Sequence, residues 1–327
     1  MDQEPQLYLR LPTQHDIVCD SLTIPMAEAD THLLAPSERI VVSPISRTEV
    51  SLEEIADHDH FSFLTLGGNI GMSGLAAVYR MVNSAGLCFA LKVPLRVTPK
   101  TYRLYNLEAH LLRELRRKGA PVPELASHGV VSGFPYLLMD DLGRDFLQNS
   151  HIHYNSDGRV EKVTRVGLTV CDALETLHRI GFRHNDVKPA NIHYTLSGQI
   201  HLLDYASSSR LNSSVDSFAF SPRYLAPERV TDDFPVDEKV DVFGLGTTLY
   251  ELLVEHPAFI TTQDSATIPG LREHLHLVKT AGYAPLCGYS PRLTSLVRAM
   301  MAYDPSDRPS LPAVREALHN TRTEYFG

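Results

Sequence analysis

Cysteine is scarce: the 327 residues hold four, Cys19, Cys88, Cys171 and Cys287, and no C-x-x-C pair. Neither a disulfide framework nor a zinc ribbon is indicated, and buried reduced thiols are expected. Positive charge is in deficit, with 30 Lys and Arg against 39 Asp and Glu and a formal net charge of -9. A nucleic-acid backbone is held by clustered cations. The densest basic run, Arg113 to Lys118, is broken by Glu114, so nucleic acid is excluded as the principal partner. A long apolar run is missing too: Val242 to Val254 is short and interrupted by Thr, Tyr and Glu, which excludes membrane insertion. Met1 to Pro5 lack the basic-then-apolar start of an export signal, so a cytoplasmic location is the expectation. Histidine is plentiful at 16, with pairs His58/His60, His151/His153 and His274/His276 able to share one side of a strand. An H-x-H pair alone lacks the ligand count of a metal site.

Glycine is absent from residues 1–60, which carry proline and acids without a sustained period beyond one short strand at Arg39 to Ile45. This stretch reads as an N-terminal extension, partly disordered or regulatory. From Phe61 the texture changes. The 43% hydrophobic content suffices for one large core or two moderate ones. Short β-type runs occupy Phe61 to Leu66, Ala76 to Val82, Leu87 to Pro94 and Tyr136 to Met139. Leu104, Leu107, Leu111 and Leu115 predict a helix with Glu108 beside the stripe. Asp140-Asp141-Leu142-Gly143 reads as a connector. Beyond it, Val163, Val166, Val170, Leu174 and Leu177 predict a helix ending near Gly181. A hairpin around Ser197-Gly198 comes next, and helices dominate from Pro227 onward. The division expected is 1–60, 61–140, 141–320 and a tail at 321–327.

The densest chemistry lies in His184-Asn185-Asp186-Val187-Lys188-Pro189-Ala190-Asn191, where an acid, a lysine and an amide crowd one loop after a helix. An Asp comes after the hairpin in Asp204-Tyr205-Ala206. Upstream, Leu87 to Val93 alternates so that Cys88, Ala90 and Lys92 share one face. A lysine in so apolar a strand is no ordinary surface residue. Farther along stand Ala226-Pro227-Glu228, Asp241-Val242-Phe243-Gly244-Leu245-Gly246 and Arg308 within Asp304 to Pro309.

In this order the motifs resemble the eukaryotic-like protein kinases, serine/threonine type, over residues from about 61 to 318. The resemblance implies an α+β, two-lobed fold: a small antiparallel-sheet lobe with one main helix and a larger helical lobe. It implies transfer of the γ-phosphate of ATP, with Mg²⁺, to a Ser or Thr hydroxyl of a protein substrate. Asp186 would receive or orient the hydroxyl proton, and Lys188 would sit near the γ-phosphate. Asn191 and Asp204 would be the metal ligands, since Mg²⁺ takes hard oxygen donors. Lys92 would reach the α- and β-phosphates and pair with Glu108, with Glu114 the alternative partner. At 4 Å and an effective dielectric near 20 such a pair is worth roughly 4 kcal/mol before desolvation. Val78 and Ala90 would sandwich the adenine, Met139 would close the back of its pocket, and backbone groups of Asp140 and Leu142 would bind its edge. Asp145 would be near the ribose and His193 beneath the base. The phosphate loop departs most from the pattern: Gly71, Ser73 and Gly74 lie in Ile70 to Tyr79, with Ser73 and Ala76 where second and third glycines are usual. Glu228 and Arg308 would form a buried structural pair, Asp241 would belong to a buried central helix with Phe243 replacing Trp, and Ser221 would contact Asp186 and Lys188.

Asn185 stands where an Arg usually precedes the catalytic Asp, and Ala206 where Gly is usual. Without that Arg, activity is expected not to require phosphorylation at Ser213, Ser214 or Ser217. The same departures leave open a pseudokinase that binds partners without transfer. Pro121 to Leu125 and Tyr136 to Met139 echo small-molecule phosphotransferases acting on aminoglycosides or choline. The Glu228, Asp241 and Arg308 set argues against that class. Oligomeric state leaves no signal.

Overall fold

A computed structural model describes residues 64–72, 75–143, 156–195, 197–213, 221–231, 233–264 and 266–327. The extension at 1–60, its strand at Arg39 to Ile45, Cys19, His58/His60, His151/His153, Asp145, Ser214 and Ser217 lie outside these residues.

Alternating apolar residues build a five-stranded antiparallel sheet from β1 (Leu64–Met72), β2 (Ala76–Asn83), β3 (Cys88–Pro94), β4 (Leu125–Val131) and β5 (Phe134–Asp140). The strand order is β1-β2-β3-β5-β4. Leu91 and Val93 pack with Leu64, Ala77, Met81, Tyr136 and Leu138 on one face. The two-residue period therefore turns Ala90 and Lys92 to the other. That second face receives α1 (Pro99–Arg117), whose Tyr105 and Ala109 meet Leu137 of β5. Thr98 starts the helix a turn earlier than its leucines suggest: its hydroxyl accepts from the Thr101 N–H, with Pro99 next in line. β4 is absent from the predicted strands, because Ser127, His128 and Gly129 dilute its alternation and the strand is only partly buried.

Past Gly143 the chain becomes helical. In α2 (Ser156–Arg179) the expected stripe of Val163, Val166, Val170, Leu174 and Leu177 is wholly buried. Each such residue contributes about 1.5–3 kcal/mol by leaving water. Gly181 ends the helix with φ 85°, a conformation that costs glycine nothing. Two short antiparallel pairs come next: β6 (Phe182–Arg183) with β9 (Ser209–Arg210), and β7 (Ile192–Tyr194) with β8 (Ile200–Leu202). The core closes around α3 (Lys239–Val254), buried along most of its length from Val240 to Leu253, with α4 (Ile268–Lys279), α5 (Pro291–Met300) and α6 (Leu311–Phe326) beside it. Phe243 stacks on Phe259 at 6.1 Å within this core.

Two expectations fail here. Only Cys171 of the described cysteines is buried, its thiol pushed up to about 12 by desolvation, while Cys88 and Cys287 are exposed. Cys88 sits at the outer end of β3, where the apolar alternation has not yet begun. His274 and His276 lie on a helix, not a strand, so they diverge: His274 is fully buried with Nε2 donating to the Leu225 carbonyl at 2.9 Å, while His276 is exposed.

Candidate active site

Register across the sheet aligns the first half of the site. Val78 pairs with Lys92 and Lys92 with Leu137; one step along, Arg80 pairs with Ala90 and Ala90 with Met139. Directly opposed residues share a face, so Val78, Ala90, Lys92 and Met139 line one surface beneath the sheet. The Lys92 ammonium donates to both Glu108 oxygens at 2.8 Å and to Asp204 Oδ1 at 2.7 Å. Three segments distant in sequence thus meet at one nitrogen. Burial alone pulls the Lys92 pKa down, but Asp204 and Glu108 outweigh it and the group stays firmly cationic. Burial pushes Glu108 up against the pull of Lys92, with a net rise, and a backbone N–H of Tyr205 helps hold its charge. Burial also opposes ionisation of Asp204, yet Lys92 prevails and its pKa is lowered. Glu114, the alternative partner, bonds Arg117 at 2.8 Å on the surface instead.

The loop from His184 to Asn191 supplies the second half, and Asp241 of α3 holds it in shape. The buried Asp241 carboxylate accepts the His184 and Asn185 N–H groups, both at 2.8 Å, and lies 2.8 Å from His178 Nε2. His184 Nε2 donates to the Leu203 carbonyl at 3.0 Å, which ties the loop to the residue before Asp204. Asp186 Oδ2 accepts from Lys188 Nζ at 2.6 Å and Asn191 Nδ2 at 3.1 Å. Lys188 also donates to Ser221 Oγ at 2.6 Å, the Lys188 half of the contact expected of Ser221. His184 and Lys188 both add to the lowering of the Asp204 pKa.

Asn191 spends its amide N–H groups on Asp186, at 2.8 Å to the backbone oxygen and 3.1 Å to Oδ2. Its side-chain oxygen is therefore turned away from Asp186. With the Asp204 carboxylate, this makes the two-oxygen donor set that a Mg²⁺ ion sharing nucleotide phosphates requires, and the residues present fit such an ion. No group of three or more His, Cys, Asp or Glu able to hold a metal alone exists among the described residues.

The remaining expectations sort unevenly. Gly71 stands opposite Val78 in the sheet, but a Cβ there would meet only Val78 at 3.9 Å, so space does not demand glycine. Ser73 and Gly74 lie outside the described residues. Met139 is half-buried against the Tyr105 and Leu137 cluster, behind Ala90. The Leu142 carbonyl is already 2.8 Å from His193 Nε2, which leaves the backbone N–H of Leu142 as its group for a ligand edge. Glu228 and Arg308 form a fully buried two-pronged pair at 2.6 and 2.8 Å.

Three participants carry no clear mark in the sequence. Arg80 bonds the buried Asp141 carboxylate, linking β2 to the connector. His178 completes the set around Asp241. Arg183, wholly buried, donates to Asn185 and to three backbone carbonyls; a cation between Phe182 and His184 in an otherwise apolar approach to the loop is its only trace.

Fold and site together define an α+β two-lobed kinase architecture, a lysine-bearing antiparallel sheet facing an acidic loop on a helical lobe. The family described as "Protein kinase domain" matches residues 64–321. The chain belongs to the protein kinase family. It is 34% identical to a Wee1-like protein kinase of Arabidopsis thaliana over 142 residues, 43% of this chain and 26% of that protein. Over 267 residues it is 25% identical to a probable serine/threonine-protein kinase of Corynebacterium efficiens, covering 74% of this chain and 38% of that protein. A serine/threonine-protein kinase of Mycobacterium bovis matches at 28% over 282 residues, 77% of this chain and 23% of that protein. The chain thus spans well under half the length of these curated relatives. No described helix is long and apolar enough to cross a membrane.

Proposed function

We propose that the chain is an ATP-dependent serine/threonine protein kinase whose transfer step is carried by Asp186, Lys188, Lys92, Glu108, Asn191 and Asp204. The meeting of Lys92 with Glu108 and Asp204, while Lys188 joins Asp186 to Ser221, carries this reading. Phosphoryl transfer asks a protein mainly to position reactants and to offset charge on the moving group. Lys92, fixed by Glu108, offers its ammonium to the nucleotide phosphates. Asp186 is the acceptor for the proton of a substrate Ser or Thr hydroxyl, and its neighbour Lys188 offsets charge on the phosphoryl group. Asn191 and Asp204 would hold Mg²⁺, which neutralises and orients the phosphates when bound. Val78 and Ala90 bound the adenine slot, with Met139 at its rear and the backbone of Asp140 and Leu142 along its edge; Gly71 would border the phosphates, a role the family resemblance also implies for Ser73 and Gly74, which lie outside the described residues.

The same reading divides the chain at Asp140, small lobe before and large lobe after, and puts the reaction in the cytoplasm with a protein as acceptor. Lys188 two places after Asp186, bonded to both Asp186 and Ser221, favours a Ser or Thr acceptor. The test is incubation with Mg²⁺, labelled ATP, generic protein substrates and sugar or amine acceptors, beside Asp186→Asn. Label on protein that vanishes in the variant supports the proposal. Nucleotide binding without transfer, or label on small acceptors alone, overturns it.

A further inference from the structure

Arg183 is an arginine with no exposed surface, placed between two residues of an apolar approach to the loop that carries Asp186. Burying a guanidinium is costly unless its donors are met, and here they meet two carbonyls of the segment after Asp204, one at Val236 and the Asn185 side chain. Nη1 donates to the carbonyls of Leu211 and Val236, both at 2.8 Å, and Nη2 to that of Ser213 at 2.9 Å. Nε donates to Asn185 Oδ1 at 3.1 Å. Asn185 passes the grip on: its Nδ2 donates to the Ser207 carbonyl at 2.8 Å and to Ser209 Oγ at 2.9 Å. The acceptors at 207, 209, 211 and 213 run along the segment after Asp204, from the end of a 3-10 turn (Tyr205–Ser207) through β9 into the turn that follows it. Pairing of β6 with β9 and the Leu211 N–H bond to the Gly181 carbonyl complete the seam.

We propose that Arg183 is a positioning residue for the transfer reaction, clamping the segment after Asp204 through that segment's own carbonyls so that no phosphate on it is needed. This rests on the kinase reading above. Asn185 is the relay: it holds φ 69° while Arg229 Nη1 bonds its carbonyl at 2.7 Å, so its amide is aimed at the segment. A cation held against neutral backbone oxygens is a permanent fastening, whereas one awaiting a phosphate is a conditional one.

Phosphatase-treated full chain is to be compared with Arg183→Met and Arg183→Lys. The treated wild type keeps its activity. Arg183→Met raises the KM for a peptide by about tenfold or more, the size of one charge-assisted hydrogen bond, with nucleotide affinity unchanged. Arg183→Lys restores little, because a single ammonium cannot span three carbonyls. Hydrogen exchange at 209–213 is slow in the treated wild type and speeds up in Arg183→Met. Loss of activity on phosphatase treatment, or a folded Arg183→Met with wild-type peptide KM and exchange, overturns the clamp. Should Arg183→Met not fold, fast exchange at 209–213 in the treated wild type overturns it alone. A wild type that binds nucleotide but transfers nothing sinks the kinase reading, and exchange still judges the clamp.

Discussion

Replacing Arg308 with Met strips a cation whose every donor is met. Its guanidinium has five N–H groups, and five contacts account for them: both Glu228 oxygens, and the carbonyls of Ala302, Lys239 and Tyr303. It also lies 4.9 Å over the Phe243 ring. Both partners of the ion pair are wholly buried, so Met would leave a carboxylate in the core without its counter-charge. Removing one member of such a pair costs about 3–5 kcal/mol. Against the roughly 5–15 kcal/mol that holds a domain folded, this is a large fraction. At about 2–4 °C per kcal/mol for a chain of this size, the melting temperature falls by about 6–20 °C. Thermal and urea unfolding of Arg308→Met, Glu228→Leu and the double variant measure it. The double variant loses less than the sum of the singles, because no orphan charge remains. A single-variant loss under about 1 kcal/mol, or a cycle that adds without coupling, would refute the reasoning.

The same geometry fixes further outcomes. Lys92→Met removes the ammonium joining Glu108 to Asp204, and kcat/KM for peptide phosphorylation drops by about 10²–10³-fold, read from initial rates; activity within a factor of about three would remove Lys92 from the chemistry. Tyr205 is fully buried and its hydroxyl meets no partner among the described residues. Tyr205→Phe therefore gains about 1 kcal/mol in denaturant unfolding, and a loss of that size would show a hidden partner. Burial lowers the pKa of His274, despite the favourable bond to the Leu225 carbonyl, and its Nδ1 has no partner among the described residues. The unfolded chain takes up that proton near pH 6.5 and the folded chain resists it, so this stability is present above about 6.5 and is lost as pH falls below it. His274→Gln shows a flatter stability profile between pH 7.5 and 5.5; an unchanged slope would mean that other groups carry it.

The residues that do chemistry are readable because their spacing is dictated by the chemistry. Asp186, Lys188 and Asn191 share one loop, and Lys92 has to alternate with Leu91 and Val93, so a strand period of two places it. Preference for Glu108 over Glu114 rests on the leucine stripe, of which Leu111 and Leu115 are buried in the large core with Leu107 packed against it, while Leu104 is only half-buried and Tyr105 and Ala109 make the contact with Leu137. Apolar helices are equally plain, α2 and α3 above all. Features whose signal is diluted or nonlocal stay hidden. β4 has Ser127, His128 and Gly129 at a half-exposed sheet edge, where no strict alternation is enforced. Cys88 looks like part of a buried strand until the sheet shows which end of β3 meets water.

Arg183 is the instructive case. Read along the chain, Asn185 is a missing charge, and its neighbour two places earlier is one more arginine. In space the two side chains bond each other at 3.1 Å. The lost cation has been moved, not deleted. No periodicity encodes this, because the acceptors at 207, 211 and 213 are backbone oxygens, which leave no mark on residue choice. A wholly buried guanidinium must give its donors to something, and here two of the receivers, the carbonyls of Leu211 and Ser213, belong to the segment after Asp204. That is why substituting Arg183, which bonds Asn185, Leu211, Val236 and Ser213 and not Lys92, Asn191 or Asp204, should alter peptide binding while leaving the nucleotide alone.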